Sequence, residues 1–162
     1  FNKELRRRFL EYIKLENELR FAVKRNELVL YYQPVISLTD GTLVGFEALL
    51  RWNHPVYGFI SPGQFIPIAE ESGLIIPITK WILDQACRQM AEWQKNIPNT
   101  EHLKISINIS GKHLAVDNLP EQVQKSLYES GLDATSLILE ITESSAMQNA
   151  NQTIRIFEKL RK

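Results

Sequence analysis

A chain of 162 residues is long enough to bury the core of one domain. Its 19 lysines and arginines balance its 19 aspartates and glutamates, which excludes both the overall basic field of a nucleic-acid polymer binder and an acidic field for polycations. The single cysteine, Cys87, excludes an internal disulfide and reads as a small buried side chain, and the longest apolar stretch, Leu74 to Leu83, is broken by Pro77 and Lys80. The amino terminus is Arg-rich helix rather than a signal peptide, so the expectations are no membrane contact by this segment and a cytoplasmic location.

From Lys3 to Lys24 the sequence predicts a helix, because Leu5, Phe9, Tyr12, Leu19 and Val23 recur at three- and four-residue steps with charges between them. Glu16 interrupts that seam. The stretch is either a surface helix packed on the following domain or a linker from an upstream module; the division expected is a linker over 1–26 and a domain over 27–162.

Leu28 to Leu38 reads as a strand, with Gln33 its odd polar residue, and the turn Thr39-Asp40-Gly41-Thr42 leads into a second strand, Leu43 to Trp52, making an antiparallel hairpin. A loop is predicted over Asn53 to Gly58. Ser61-Pro62-Gly63-Gln64 then has the residues of a capped helix start, and Gly73 closes that helix. A longer helix follows from Leu74 to Lys95, able to turn Ile78, Trp81, Ile82, Cys87, Met90 and Trp93 toward a core.

Leu103 to Ser110 alternates as a strand, with Ile105, Ile107 and Ile109 on one face and Ser106, Asn108 and Ser110 on the other. Pro120 to Ser130 is predicted as helix, Leu137 to Glu143 as strand, and Asn151 to Lys162 as a final helix. Past the opening hairpin, strands and helices alternate, which argues for an α/β fold with parallel strands. Four strands do not close a barrel, so the chain is either a small open sheet or the first part of a larger barrel.

Side chains alternate across a strand, so Glu47, Leu49 and Arg51 share one face of the second strand, opposite an apolar face of Val44, Phe46, Ala48, Leu50 and Trp52. A carboxylate and a guanidinium set into such a segment are costly unless each finds a partner or a ligand. Asn108 and Glu140 repeat the pattern on the next two strands, each near the carboxyl end where parallel sheets build their sites. Carboxylate, carboxamide and carboxylate are hard oxygen donors suited to Mg2+ or Mn2+, and the three histidines, His54, His102 and His113, lack ligand spacing. Arg51 on the same face has the planar fork that holds a phosphate.

These residues carry a resemblance. Glu47-Ala48-Leu49-Leu50-Arg51-Trp52, preceded by Tyr32-Gln33-Pro34 and followed by His54-Pro55, Ser61-Pro62, Phe65-Ile66-Pro67, Ala69-Glu70, Ile107-Asn108-Ile109-Ser110 and Leu139-Glu140-Ile141-Thr142-Glu143, resembles the EAL domain, the bacterial cyclic di-GMP phosphodiesterase. The resemblance implies a (β/α)8 TIM-type barrel with an antiparallel first strand, here truncated to about its first half. It implies that Glu47, Asn108 and Glu140 are metal ligands for two Mg2+ or Mn2+ ions and that Glu47 is catalytic. Arg51 would hold a phosphate, Gln33 and Leu49 would contact cyclic di-GMP, and the product would be linear pGpG. The first helix resembles the connector after a GGDEF or sensor module.

The family's Asp-Asp-Phe-Gly block, and the later lysine, glutamate and glutamine of similar enzymes, are not in this sequence. The isolated chain is therefore expected to be inactive and its parent active, since Glu47, Asn108, Glu140 and Arg51 are all retained. The alternatives are a non-catalytic cyclic di-GMP receptor and a dimerisation or structural unit. Uncovered strand edges and an apolar sheet face predict a homo-dimer.

Overall fold

Alternation in the two opening strands, and the Asp-Gly turn between them, produce the hairpin that anchors the sheet. In the computed structural model, which describes residues 3–116, 118–148 and 150–161, β1 (Leu28–Ile36) pairs antiparallel with β2 (Leu43–His54) from Leu28 opposite Trp52 to Pro34 opposite Phe46. The Asp40 carboxylate closes the turn by accepting from the Thr42 N–H at 3.2 Å. β1 stops at Ile36 rather than Leu38 because Ser37 already belongs to this turn, donating its N–H to the Thr42 carbonyl at 2.8 Å.

β2 is longer than the sequence suggests and absorbs part of the predicted loop. Asn53 and His54 continue it and pair with a short antiparallel strand, β3 (Gly58–Ile60). His54 makes this turn possible: its ring Nδ1 accepts from the N–H groups of both Val56 and Tyr57, at 3.1 and 3.2 Å.

The parallel part begins where β2 meets β4 (Lys104–Asn108), which in turn pairs with β5 (Leu137–Glu140), giving the order β1-β2-β4-β5 with β3 on β2. Each parallel crossover runs through helices, as parallel pairing demands. Between β3 and β4 lie α2 (Pro62–Ser72) and α3 (Ile75–Asn96); between β4 and β5 lie α4 (Gly111–Leu114), α5 (Leu119–Ser130) and a 3-10 turn at Ala134–Ser136. The chain begins with α1 (Lys3–Ala22) and ends with α6 (Glu143–Gln148) and α7 (Ala150–Leu160).

Two strand ends differ from expectation for a common reason. β4 ends at Asn108 and β5 at Glu140, because Ser110 caps α4 and Thr142 accepts the first bond of α6 from the Ala146 N–H at 3.0 Å. The predicted final helix is seen from Ala150 to Leu160, and its last predicted residue, Lys162, lies outside the described residues.

The core forms between the sheet and the α2, α3 and α5 helices. Ala48, Leu50 and Trp52 present the apolar face of β2, and Ile105 and Ile107 do the same from β4; all are buried. α3 meets them with Ile75, Ile78, Ile82, Leu83, Ala86 and Met90, a three-and-four spacing that puts one stripe inward. Its Trp93 is half-buried, with ring centroids 4.9 Å from Tyr32 and 4.8 Å from Phe46. Cys87 is buried among them, and burial pushes its thiol up to about 12.

α2 starts as its sequence requires. Pro62 occupies the first turn, the Gln64 carboxamide oxygen accepts from the Ser61 N–H at 3.4 Å, and Gly73 ends the helix at φ 78°, a left-handed position that suits glycine. α1 is divided: Leu19 and Ala22 are buried in the core, while Leu5, Phe9 and Leu10 are exposed. Among the described residues no helix is long and apolar enough to cross a membrane.

Candidate active site

Sheet register brings the candidate residues together. Gln33 stands opposite Glu47, Glu47 opposite Ser106, and Asn108 opposite Glu140, so the polar face predicted on each strand is one continuous face. The side-chain amide of Asn108 donates to Glu47 Oε1 at 2.7 Å, and the Ile109 N–H bonds the Glu140 carbonyl at 2.8 Å. Two carboxylates and one carboxamide thus lie on three adjoining strands.

Gly45 permits this approach. A Cβ at Gly45 would run into the backbone carbonyl of Lys104, its partner in the parallel ladder, and a glycine two residues before Glu47 lets β2 and β4 close.

The expected position of Glu47 near the carboxyl end of its strand needs correcting. It is the fifth residue of a strand that runs on to His54. The parallel ladder, however, covers only Gly45 to Ala48 of β2; beyond it the strand pairs with β1 and then β3. Glu47 therefore stands at the carboxyl end of the parallel part, which is where the following loops leave room for a ligand.

Beside this face opens a cleft of about 750 Å³. Leu49, Arg51, Asn108 and Glu140 line it; Glu47 reaches it through its bond to Asn108, and Gln33 stays on exposed β1, paired to Glu47 but outside the lining. Its other wall comes from Ile66, Glu70 and Glu71 of α2, Lys112 of α4, and Thr142. Glu71 and Lys112 escape sequence reasoning, since exposed charges on helices ordinarily read as a solvated face; the capped helix start at Ser61 was the one local signal that a wall follows β3.

Arg51 has its guanidinium 5.5 Å from the Tyr31 ring and donates from Nη1 to the Leu50 carbonyl at 2.8 Å. It forms no ion pair with a described residue. A cation satisfied only by a neutral carbonyl and a ring face keeps its charge available to an anion.

As a metal site, the donor set is of the right kind. Among the described residues no three His, Cys, Asp or Glu side chains gather as a cage, but Glu47 and Glu140 flank Asn108, and carboxylate and carboxamide oxygens suit hard divalent cations. The histidines stand apart from this set. His54 organises its own turn, and His113 is buried in α4 with its pKa held down by burial.

The sequence matches the EAL domain over residues 16–162. It is 43% identical over 150 residues to the bifunctional diguanylate cyclase/cyclic di-GMP phosphodiesterase MucR of Pseudomonas aeruginosa, covering 93% of this chain and 22% of that protein. With the cyclic di-GMP phosphodiesterase NbdA of the same organism it shares 37% over 161 residues, 99% of this chain and 20% of that one. The chain thus spans about a fifth of the length of these relatives.

Among solved structures, the MucR phosphodiesterase in complex with c-di-GMP superposes with a TM-score of 0.85 at 43% identity, covering 91% of this chain and 59% of that one. The FimX EAL domain of P. aeruginosa bound to c-di-GMP gives 0.78 at 27% identity, covering 93% and 57%. Against these neighbours the described sheet is an arc of a (β/α)8 barrel that begins with an antiparallel strand, truncated relative to the full EAL barrel.

Proposed function

The chain belongs to the EAL domain family, and from that premise we propose that it supplies the first part of the catalytic site of a cyclic di-GMP phosphodiesterase. The observation that carries this reading is the Glu47–Asn108 bond with Glu140 in register beside it, at the edge of a cleft lined by Arg51, whose guanidinium donates to a backbone carbonyl. Relatives named as cyclic di-GMP phosphodiesterases support it.

In this reading Glu47, Asn108 and Glu140 would hold two Mg2+ or Mn2+ ions, with Glu47 the catalytic ligand. Such ions, when bound, supply Lewis acidity toward a phosphoryl oxygen and activate water for attack. Arg51 orients one phosphate with its planar fork, and Leu49 and Gln33 contact the dinucleotide. Water adds at phosphorus, one phosphodiester P–O bond breaks, and the product is linear pGpG. The isolated 162-residue chain, presenting an open arc, is proposed to be inactive.

The partners proposed with it follow from what is exposed. α1 offers Leu5 and Phe9 to an upstream GGDEF or sensor module, and Leu19 and Ala22 fasten its other end to the core. Tyr31, Val35 and Ile138 lie exposed on the site face of the sheet and suit a homo-dimer contact. A cytoplasmic setting accompanies a nucleotide second messenger.

The test is hydrolysis of cyclic di-GMP by the full-length protein containing this chain, followed chromatographically with Mg2+ or Mn2+. Appearance of pGpG is expected. Tight binding of cyclic di-GMP with no turnover would overturn the enzyme reading in favour of a receptor.

A further inference from the structure

The cleft holds a second cation that, like Arg51, donates to a backbone carbonyl. Lys112, in α4 just after the Asn108 strand, donates from Nζ to the backbone carbonyl of Glu71 at 3.0 Å and forms no ion pair with a described residue. Both cations that line the cleft are held by neutral backbone carbonyls.

Glu71 is the nearest candidate to neutralise Lys112, and its carboxylate is engaged elsewhere. Tyr12 of α1 donates its hydroxyl to Glu71 Oε2 at 2.8 Å, and this bond is the first cause of a raised Tyr12 pKa. The same residue therefore offers its carbonyl to Lys112 and its charge to α1. Glu70 and Glu140 also line the cleft, but neither forms an ion pair with Lys112. Two cations that line one cleft, each without an ion pair to a described residue, offer separate contacts to a ligand with more than one anionic group.

We propose that Lys112 is a second anion contact of the cleft, taking a phosphoryl group of the cyclic dinucleotide from the α4 side while Arg51 takes the other from β2. The inference rests on the cyclic di-GMP reading above and adds a residue to it. Lysine acts here as a mobile point charge, which suits a contact made on ligand entry.

The experiment is equilibrium binding of cyclic di-GMP to the full-length protein at two salt concentrations, for the wild type, Lys112→Met and Lys112→Arg. Lys112→Met is expected to weaken binding about tenfold and to flatten its salt dependence, the loss of one charge-assisted hydrogen bond. Lys112→Arg is expected to retain affinity. If the wild type binds and Lys112→Met binds equally well with the same salt dependence, the inference is overturned. It is also overturned if Lys112→Met lowers thermal stability alone, since that marks a tether between α4 and α2. A wild type that fails to bind cyclic di-GMP overturns the underlying functional reading, and the role of Lys112 with it.

Discussion

The Asn108 amide donates to Glu47 Oε1 at 2.7 Å across 61 residues of sequence. This bond joins the hairpin to the parallel part of the sheet on the face that carries the candidate chemistry, and both side chains remain accessible to ligand.

Glu47→Ala is expected to lower cyclic di-GMP hydrolysis by the full-length protein by a hundredfold or more, about 3 kcal/mol of lost transition-state stabilisation at roughly 1.4 kcal/mol per tenfold. The freed Asn108 amide is exposed and returns to water, so the melting temperature should barely move. Chromatography of the product and a thermal melt on the same sample separate the two effects. Unchanged turnover would remove Glu47 from the site.

Gly45→Ala tests the sheet closure that creates the site. The added methyl meets the Lys104 carbonyl, and backbone on both sides of a parallel ladder yields poorly. A loss of about 1–3 kcal/mol is expected, as for other overpacked positions. Urea unfolding measures it; a variant as stable as the wild type would show that β2 and β4 part easily.

Trp52 is fully buried, and its indole Nε1 donates to Glu27 Oε2 at 3.0 Å, tying the start of β1 to the middle of the core. Trp52→Phe keeps most of the packing and removes the donor from a carboxylate that is itself buried. A destabilisation of about 1–3 kcal/mol follows from leaving such an acceptor short of a partner. Trp52→Phe combined with Glu27→Leu should recover part of that loss in chemical denaturation; no recovery would mean the cost is packing alone.

His113 carries a pH dependence. Its ring is fully buried, and burial holds its pKa below the ordinary 6.5. Asn118 and Gln122 approach and pull the other way, yet neither ring nitrogen completes a hydrogen bond. The unfolded chain therefore takes up the proton first as pH falls, so this residue's contribution to stability is complete above 6.5 and is lost as pH drops toward the folded value. Denaturation midpoints at neutral and mildly acidic pH should differ less in His113→Leu than in the wild type. Equal differences would assign the acid sensitivity to other groups.

Much of the candidate site is legible along the chain because strand alternation is a local property. Glu47, Arg51, Asn108 and Glu140 each interrupt an apolar strand, and that interruption needs no knowledge of the fold. Glu71 and Lys112 could not be found the same way. Nothing in their own neighbourhoods distinguishes them from solvated helix residues, and they matter only because α2 and α4 pack beside the same cleft.

The strands differ in length from the sequence pattern where pairing partners change. Pro55 and Gly58 give His54 a loop pattern, yet the ring of His54 folds the chain back on itself and extends β2 into a second hairpin. α6 begins at Glu143, the last residue of the expected strand, since the Thr142 carbonyl accepts the first helical bond from the Ala146 N–H.

Backbone periodicity alone sets which side chains face which side of each strand and which helices carry a stripe to bury, so both are readable along the chain. Only the tertiary structure decided the register that sets Glu47 against Asn108 and Asn108 against Glu140, and the docking of α1 that draws the Glu71 carboxylate toward Tyr12. Those are contacts between residues far apart in the chain, and their partners are chosen by packing, which no local pattern encodes.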